Sequence, residues 1–216
     1  LKGSDKYLLV RLNQVIQSVR EAYDRYNFME VYRTIFNFLT NDMSAFYLDF
    51  AKDIVYIETA NSTDRRRMQT VMYEILVKLT KLLVPIVPHT SEEIWTYLEQ
   101  EEEAYAYLTE MPSADVIPDA AEILDFWSAF LEFRTGVHKA LEMARDEKVI
   151  GKSLEASVMV YPDEAVKVLL ASVAETEDVA TLLIVSELIV SDQAAPEDAV
   201  KVGDTAITVN HAVGGV

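Results

Sequence analysis

Residues 28–50 of the chain have the sequence FMEVYRTIFNFLTNDMSAFYLDF, without a Pro or Gly. Apolar side chains recur there at spacings of three and four residues: Phe28, Tyr32, Ile35, Leu39, Met43, Phe46 and Phe50. This spacing is typical of an apolar stripe along an α-helix, and such a stripe is buried against neighbouring elements. The segment therefore predicts a long helix with its aromatic side chains in the core, followed by an interruption over residues 52–60.

Helical spacing of apolar residues extends to both sides of this segment, over residues 7–26, 63–86, 91–98 and 123–147. The polar residues 61–64 offer capping oxygens for the third helix, and Thr90 or Ser91 can cap the fourth. Short connections between long helices favour an antiparallel bundle. The sequence thus predicts a mainly α domain, an antiparallel helical bundle, over residues 1–150.

The pattern changes in residues 151–216. Residues 154–161 alternate well enough between apolar and polar for a strand, and residues 164–174 have helical spacing. Residues 182–190 and 206–209 are rich in β-branched side chains, which favour strands. This order predicts a small α+β subdomain after the bundle.

Charge and composition exclude several classes of protein. The 216 residues are 50% hydrophobic, enough for a sizeable core, and carry a net charge of −17. Residues 1–90 hold 12 basic and 10 acidic side chains, whereas residues 91–216 hold 7 and 26. Only the first part is suited to approach a polyanion such as RNA. Because the chain has no Cys, it forms no disulfide, thiolate metal site or thiol nucleophile of its own.

No catalytic or metal-binding motif is present. His89, His138 and His211 lie in different predicted elements, and none follows a carboxylate at the Glu-x-x-His spacing of di-iron bundles. Nucleophile elbows, phosphate-binding Gly loops and dinucleotide fingerprints are also missing. No stretch approaches the ~20 apolar residues that span a bilayer. The sequence therefore predicts a non-catalytic binding protein with no metal site and no membrane segment.

The triplet Arg65, Arg66 and Arg67 is the sharpest local feature. In the first turn of a helix, three cations face the positive end of the helix dipole, which is unfavourable. A helix N-terminus flanked by arginines is also a good phosphate site, so one hypothesis is a contact with an RNA backbone. The alternative is that Asp64, Glu58 or a neighbouring helix pairs with these arginines.

A second candidate site lies in the second helix. Arg33, Asn37 and Asn41 are four residues apart and therefore share one helix face. Asn and Arg can bind base edges through paired hydrogen bonds, and Asn is a poor helix former that needs another reason to stand in mid-helix. The alternative is hydrogen bonding between packed helices.

Several blocks of the chain resemble the anticodon-binding domain of bacterial isoleucyl-tRNA synthetases. They include FLTNDMSAFYLD at 38–49, PIVPHTSEEIW at 85–95 and LEMARDEKVIGKSLEA at 141–156, in the order found in that family. The last block is the most specific, because the Pro-His-Thr block recurs in valyl and leucyl relatives. The resemblance covers nearly the whole chain.

This resemblance implies that the bundle docks on the anticodon stem and loop of tRNA(Ile), with the remainder of the synthetase as its second partner. The family's catalytic signatures lie upstream and have no match here, so no catalytic residue is carried over. ATP and Mg, and Zn in many bacterial members, would act in the parent ligase. We expect a cytoplasmic, monomeric fragment of a longer protein, either cut before a zinc module or taken from a member without one.

A different function remains open from the sequence alone. The bundle could be a scaffold that packs the synthetase body and its terminal module, with little RNA affinity of its own. The strongly acidic charge favours this alternative, because an acidic fragment repels RNA at a distance. The two functions differ in whether added tRNA perturbs the fragment.

Overall fold

The structure is a computed structural model, and it describes residues 1–98 and 103–213. Most of the acidic run at 99–103 therefore lies outside the described residues. The chain divides into two compact units, one of residues 1 and 3–120 and one of residues 2 and 121–216. The division falls at the start of a long helix. The domain boundary between residues 150 and 151 stays a prediction.

The first unit is built of helices. They are α1 (Gly3–Asp24), α2 (Phe28–Asn37), a π-helical segment (Phe38–Tyr47), α3 (Leu48–Ile57), α4 (Thr63–Leu83) and α5 (Pro88–Trp95), followed by a 3₁₀ turn (Ala106–Leu108). Ser62 caps α4 as predicted, since its side chain accepts a hydrogen bond from the backbone of Arg65. Helix α5 begins at Pro88 rather than after Thr90 or Ser91, because proline is pre-organised for the first helical position.

Residues 28–57 form one uninterrupted helical segment. The predicted interruption over 52–60 begins only at Glu58, whose extended backbone ends α3. Within the segment the hydrogen bonds change from i→i+4 to i→i+5 over Phe38–Tyr47 and then return to the α pattern. Nothing in the apolar spacing had indicated a π segment.

The predicted stripe is buried at Ile35, Met43, Phe46 and Phe50, but the buried face near the start of the segment is only partly the predicted one. The side chains that face the core are Val31, Ile35 and Phe38, each at most 4% exposed. Phe28, Tyr32 and Leu39, which were assigned to the core, are 50%, 57% and 40% exposed. The assignment was wrong because apolar residues occupy both faces of α2, so the spacing fits two phases equally well.

The second unit combines one long helix with a small sheet. Its elements are α6 (Ala120–Asp146), β1 (Ala156–Tyr161), α7 (Glu164–Ala174), α8 (Val179–Leu183), β2 (Glu187–Val190), β3 (Val200–Val202) and β4 (Thr205–His211). The strand order is β2-β1-β4-β3, with β1 and β2 parallel and the other pairs antiparallel. The predicted fold class, a helical bundle followed by a small α+β unit, is confirmed.

Two details of the predicted sheet differ from the structure. The run 182–190 contains the end of α8 and a left-handed residue, Ile184, before β2 begins at Glu187. Strand β3 was not predicted, because three residues are too short for an alternating pattern. Helix α6 is fixed to the end of α8 by Arg134, whose Nε donates to the carbonyl oxygen of Leu182 at 2.8 Å.

Candidate functional site

The three polar residues predicted to share a face of the second helix are exposed to solvent. Arg33, Asn37 and Asn41 have no side-chain hydrogen bond or ion pair among residues 1–98 and 103–213. The alternative of hydrogen bonding between packed helices therefore does not hold. Their donors and acceptors are open to a ligand.

An aromatic pair accompanies these residues. Tyr32 and Phe36 lie one turn apart on α2, 57% and 51% exposed, with ring centroids 5.5 Å apart and planes inclined by 26°. We call Tyr32, Arg33, Phe36, Asn37 and Asn41 the α2 face. Tyr32 was missed because it was assigned to the core stripe, and Phe36, which lies outside that stripe, was not singled out. The signal was their position beside Val31 and Ile35, which are the buried residues of α2.

The start of α2 is fixed by local hydrogen bonds. The side chain of Asn27 caps the helix by accepting from the backbone N–H of Glu30 at 3.2 Å. The Glu30 carboxylate in turn accepts from Asn27 Nδ2 at 2.8 Å and from Arg25 at 3.1 Å. These contacts hold the N-terminal turn that precedes the α2 face.

The residue after Asn41 anchors the π segment to α1. Asp42 is 7% exposed and accepts hydrogen bonds from Tyr7 Oη at 2.8 Å and from Arg11 Nε at 3.1 Å. Burial and the neighbouring Asp42 carboxylate raise the pKa of the Tyr7 phenol, so Tyr7 stays a neutral donor. Because Asp42 is held inward, the adjacent Asn41 is held at the surface.

Of the arginine triplet, Arg67 is committed to the fold. Its guanidinium is 10% exposed and pairs with the fully buried carboxylate of Asp5, and its Nε donates to Asp64 at 3.2 Å. Tyr47 Oη also donates to Asp5 at 2.7 Å. Burial alone lowers the pKa of Arg67, but the hydrogen bond and charge of Asp5 outweigh it and raise the pKa, so Arg67 is a permanent cation.

The other two arginines have different surroundings. Arg65 is half-buried and donates from Nη1 to the carbonyl oxygen of Glu58 at 2.9 Å, which joins the end of α3 to the start of α4. Arg66 is exposed, and its guanidinium has no partner in the parts of the chain that the structure describes. The alternative, in which the arginines pair with neighbouring residues, thus holds for Arg67 and in part for Arg65. The guanidinium of Arg66 is open to contact with a phosphate.

Within the described residues, no group of three or more His, Asp or Glu side chains is arranged to hold a metal ion. The imidazole Nε2 of His138 lies 3.3 Å from the carbonyl oxygen of Leu183. No helix in those residues has the length and apolarity needed to cross a membrane.

Comparison with known families identifies the class to which this fold and surface belong. Residues 5–160 match the family model of the anticodon-binding domain of tRNA ligase, which is well over half of the chain. The chain therefore belongs to the family of anticodon-binding domains of tRNA ligases.

Individual relatives narrow this class. The chain is 56% identical over 216 residues to the isoleucine–tRNA ligase of Streptococcus sanguinis. It is 57% identical over 219 residues to the isoleucine–tRNA ligase of Lactococcus lactis and 57% identical over 217 residues to that of Streptococcus pyogenes. In each case the match covers 100% of this chain but only 23% of the relative's length. The resemblance to isoleucyl-tRNA synthetases expected from the sequence is confirmed.

Proposed function

We propose that this chain binds the anticodon stem and loop of isoleucine tRNA and that the α2 face contacts the bases of the loop. It does so as part of a cytoplasmic ligase that joins isoleucine to this tRNA. In this proposal the ligation, which uses ATP and Mg, is carried out by residues outside the chain. The supporting observation is that aromatic, guanidinium and amide side chains lie together and exposed on one helix of an anticodon-binding domain.

The aromatic pair supports contact with unpaired bases. RNA loops present unstacked bases, and proteins bind them by stacking on aromatic rings or guanidinium planes. Tyr32 and Phe36 each expose about half of their surface, although burial would be more favourable in water. A base stacked on either ring would cover that surface.

The amides support discrimination among bases. Asn37 and Asn41 each offer a paired donor and acceptor, which match the edge of a purine or pyrimidine. Arg33 adds a donor that can bind a base edge or a phosphate. Because these groups bind nothing within the described residues, a base needs to displace only water from them.

Arg66 supports a separate contact with the RNA backbone. It stands in the first turn of α4, where backbone N–H groups and the helix dipole favour an anion. Arg65 and Arg67 are held by Glu58 and Asp5 and do not reach outward, and the charge of Arg67 is compensated by Asp5 and Asp64. In this proposal the phosphate contact predicted at the arginine triplet is made by Arg66.

The test is a titration of the 216-residue chain with isoleucine tRNA and with a non-cognate tRNA, followed by fluorescence anisotropy. We expect tighter binding of isoleucine tRNA. The double variant Tyr32→Ala/Phe36→Ala should weaken that binding about tenfold or more, because stacking contributes ~1–3 kcal/mol per base.

The matched control is Tyr97→Ala, which removes another exposed tyrosine of the first unit, 79% accessible, and should leave the affinity unchanged. Equal loss in both variants would remove the α2 face from the site. If neither tRNA binds the unaltered chain, the proposal fails in favour of the scaffold function, in which the chain packs the synthetase body.

A further inference from the structure

The second unit contains a groove that takes no part in the RNA binding proposed above. It lies between α6, α7 and the turn joining β3 to β4, and its volume is about 540 Å³. Its floor is apolar: Phe126 and Phe133 from α6, Val166 and Leu169 from α7, and Val202 from β3. Val168 stands on its edge with 64% of its surface exposed.

The walls of the groove are held by close packing. A Cβ atom at Gly136 on α6 would lie only 2.5 Å from Val202 Cγ1, so the β3 strand approaches α6 as closely as a glycine allows. On the other side, Asp163 caps α7 by accepting from the backbone of Val166 at 2.8 Å. Its own backbone N–H donates to Thr205 Oγ1 at 3.2 Å. The groove is thus preformed by the fold.

The rim of the groove carries one sign of charge. Asp125, Glu132 and Asp204 line it with exposed carboxylates, and no Lys or Arg does so. None of these carboxylates makes a side-chain hydrogen bond or ion pair among the residues the structure describes. Residues 121–216 contain 7 basic and 17 acidic side chains, an excess of negative charge, although Lys167 and Lys201 line the adjoining pocket beside Asp204.

We propose that this groove receives a cationic amphipathic helix from the ligase chain beyond these 216 residues. Its apolar side chains would fill the floor and its Lys or Arg side chains would pair with the rim. The groove follows α6 from Asp125 to Phe133, a length of about 12 Å, which accommodates about two turns of a helix. The inference rests on the proposed function only in taking the chain to be part of a longer ligase.

The size of the groove favours a segment of the same chain over a separate protein. Stable complexes between proteins bury roughly 1,000 Å² or more, and two helical turns in one groove bury less. A tethered segment needs less contact, because the tether gives it a high effective concentration. The relatives contain the additional chain that a tethered segment requires, since the match spans only 23% of their length.

The experiment compares the full-length ligase containing this chain with the 216-residue chain alone. Zero-length carbodiimide cross-linking joins carboxylates to lysines in contact, and hydrogen exchange monitors residues 125–133 and 165–172. In the full-length ligase we expect Asp125, Glu132 or Asp204 to cross-link to one basic segment of the same molecule. We also expect exchange in both stretches to be slower by about fivefold or more than in the isolated chain.

The variant Asp125→Lys/Glu132→Lys reverses the rim charge and should restore the fast exchange of residues 165–172 in the full-length ligase. The matched control, Glu142→Lys/Asp146→Lys, makes the same change further along α6 and should not. Equal exchange in the two proteins, or cross-links only to a second copy, would overturn the proposal. Binding of tRNA by the same preparations is measured separately. If the chain does not bind tRNA, the cross-linking and exchange results can still be interpreted.

Discussion

At the scale of single residues, one buried carboxylate connects three helical elements of the first unit. Asp5 on α1 is fully buried. It forms an ion pair with Arg67 of α4 and accepts a hydrogen bond from Tyr47 of the π segment. A buried ion pair contributes little net stability compared with an apolar pair, but removal of one partner leaves an uncompensated charge. Arg67 is therefore needed for folding rather than for binding.

This contact predicts opposite behaviour for two neighbouring arginines. Arg67→Ala should lower the free energy of unfolding by about 3–5 kcal/mol, because the buried carboxylate of Asp5 then loses the guanidinium that compensates its charge. Arg66→Ala, the adjacent exposed residue, should change it by less than about 0.5 kcal/mol. Urea unfolding of both variants measures the difference. Similar stability of the two would contradict the role assigned to the Arg67–Asp5 pair.

Tyr23 predicts a dependence on alkaline pH. Burial raises its pKa from 10.0 to about 12, and its hydroxyl donates to the carbonyl oxygen of Leu82 at 2.7 Å. The unfolded chain thus loses this proton at lower pH than the folded chain. The stability that Tyr23 contributes is fully present below pH 10.0 and declines as the pH rises towards about 12.

The measurement is the difference in unfolding free energy between the unaltered chain and Tyr23→Phe, at about pH 8 and about pH 11. We expect the advantage of tyrosine to be smaller at the higher pH. Tyr26→Phe serves as the control for removal of a tyrosine hydroxyl, because Tyr26 is 81% exposed. A difference for Tyr23→Phe that does not change with pH would contradict the prediction.

At the scale of elements, Gly136 predicts a steric coupling between α6 and β3. Glycine to alanine in mid-helix normally stabilises by about 1 kcal/mol. Here the new methyl group would meet Val202 at 2.5 Å, so Gly136→Ala should instead destabilise by about 1–3 kcal/mol. The second substitution Val202→Ala should recover part of this loss. Additive effects in the double-mutant cycle would show that the two residues do not press on each other.

Most helices were predictable from the sequence because their signals are local. Ser62 and the polar residues around it mark the start of α4, and the long apolar spacing marks α1 and α6. The π segment was not predictable in this way. Within it, Asp42 contacts Tyr7 and Arg11 of another helix, and spacing along one helix carries no information on such contacts.

Part of the candidate site was predictable, because helical spacing is a local signal. Arg33, Asn37 and Asn41 could be placed on one face from their spacing alone, and all three are exposed. Tyr32 and Phe36 could not be separated from the core, because apolar side chains on two faces of α2 give the same periodicity. The partner of Arg67 stands 62 residues away, so the triplet could not be divided into its buried and exposed members.

At the scale of the first unit as a whole, the two candidate RNA contacts lie far apart. The α2 face ends at Asn41, whereas Arg66 follows the far end of the same helical segment, near Glu58. Sixteen helical residues, 42–57, lie between Asn41 and Glu58, which corresponds to about 24 Å. A trinucleotide is too short to reach both positions at once, whereas a stem with its loop is long enough.

This separation predicts that RNA size decides which residues matter. For an anticodon stem-loop hairpin, Arg66→Ala should reduce the slope of log affinity against log salt by about 0.7–0.9, the value of one phosphate contact. For a trinucleotide with the anticodon sequence, the same variant should leave the affinity unchanged. The variant Tyr32→Ala/Phe36→Ala should weaken the binding of both RNAs. An unchanged slope with the hairpin would remove Arg66 from the contact.

The π segment also affects where the chain can gain or lose residues during evolution. Each i→i+5 turn holds one residue more than an α-helical turn, so loss of a residue within Phe38–Tyr47 can be absorbed by tightening one turn. Elsewhere in a packed helix the same deletion would rotate every later side chain away from its neighbours. Insertions and deletions should therefore collect here among distant homologues, with Asp42 marking the position that keeps alignment with α1.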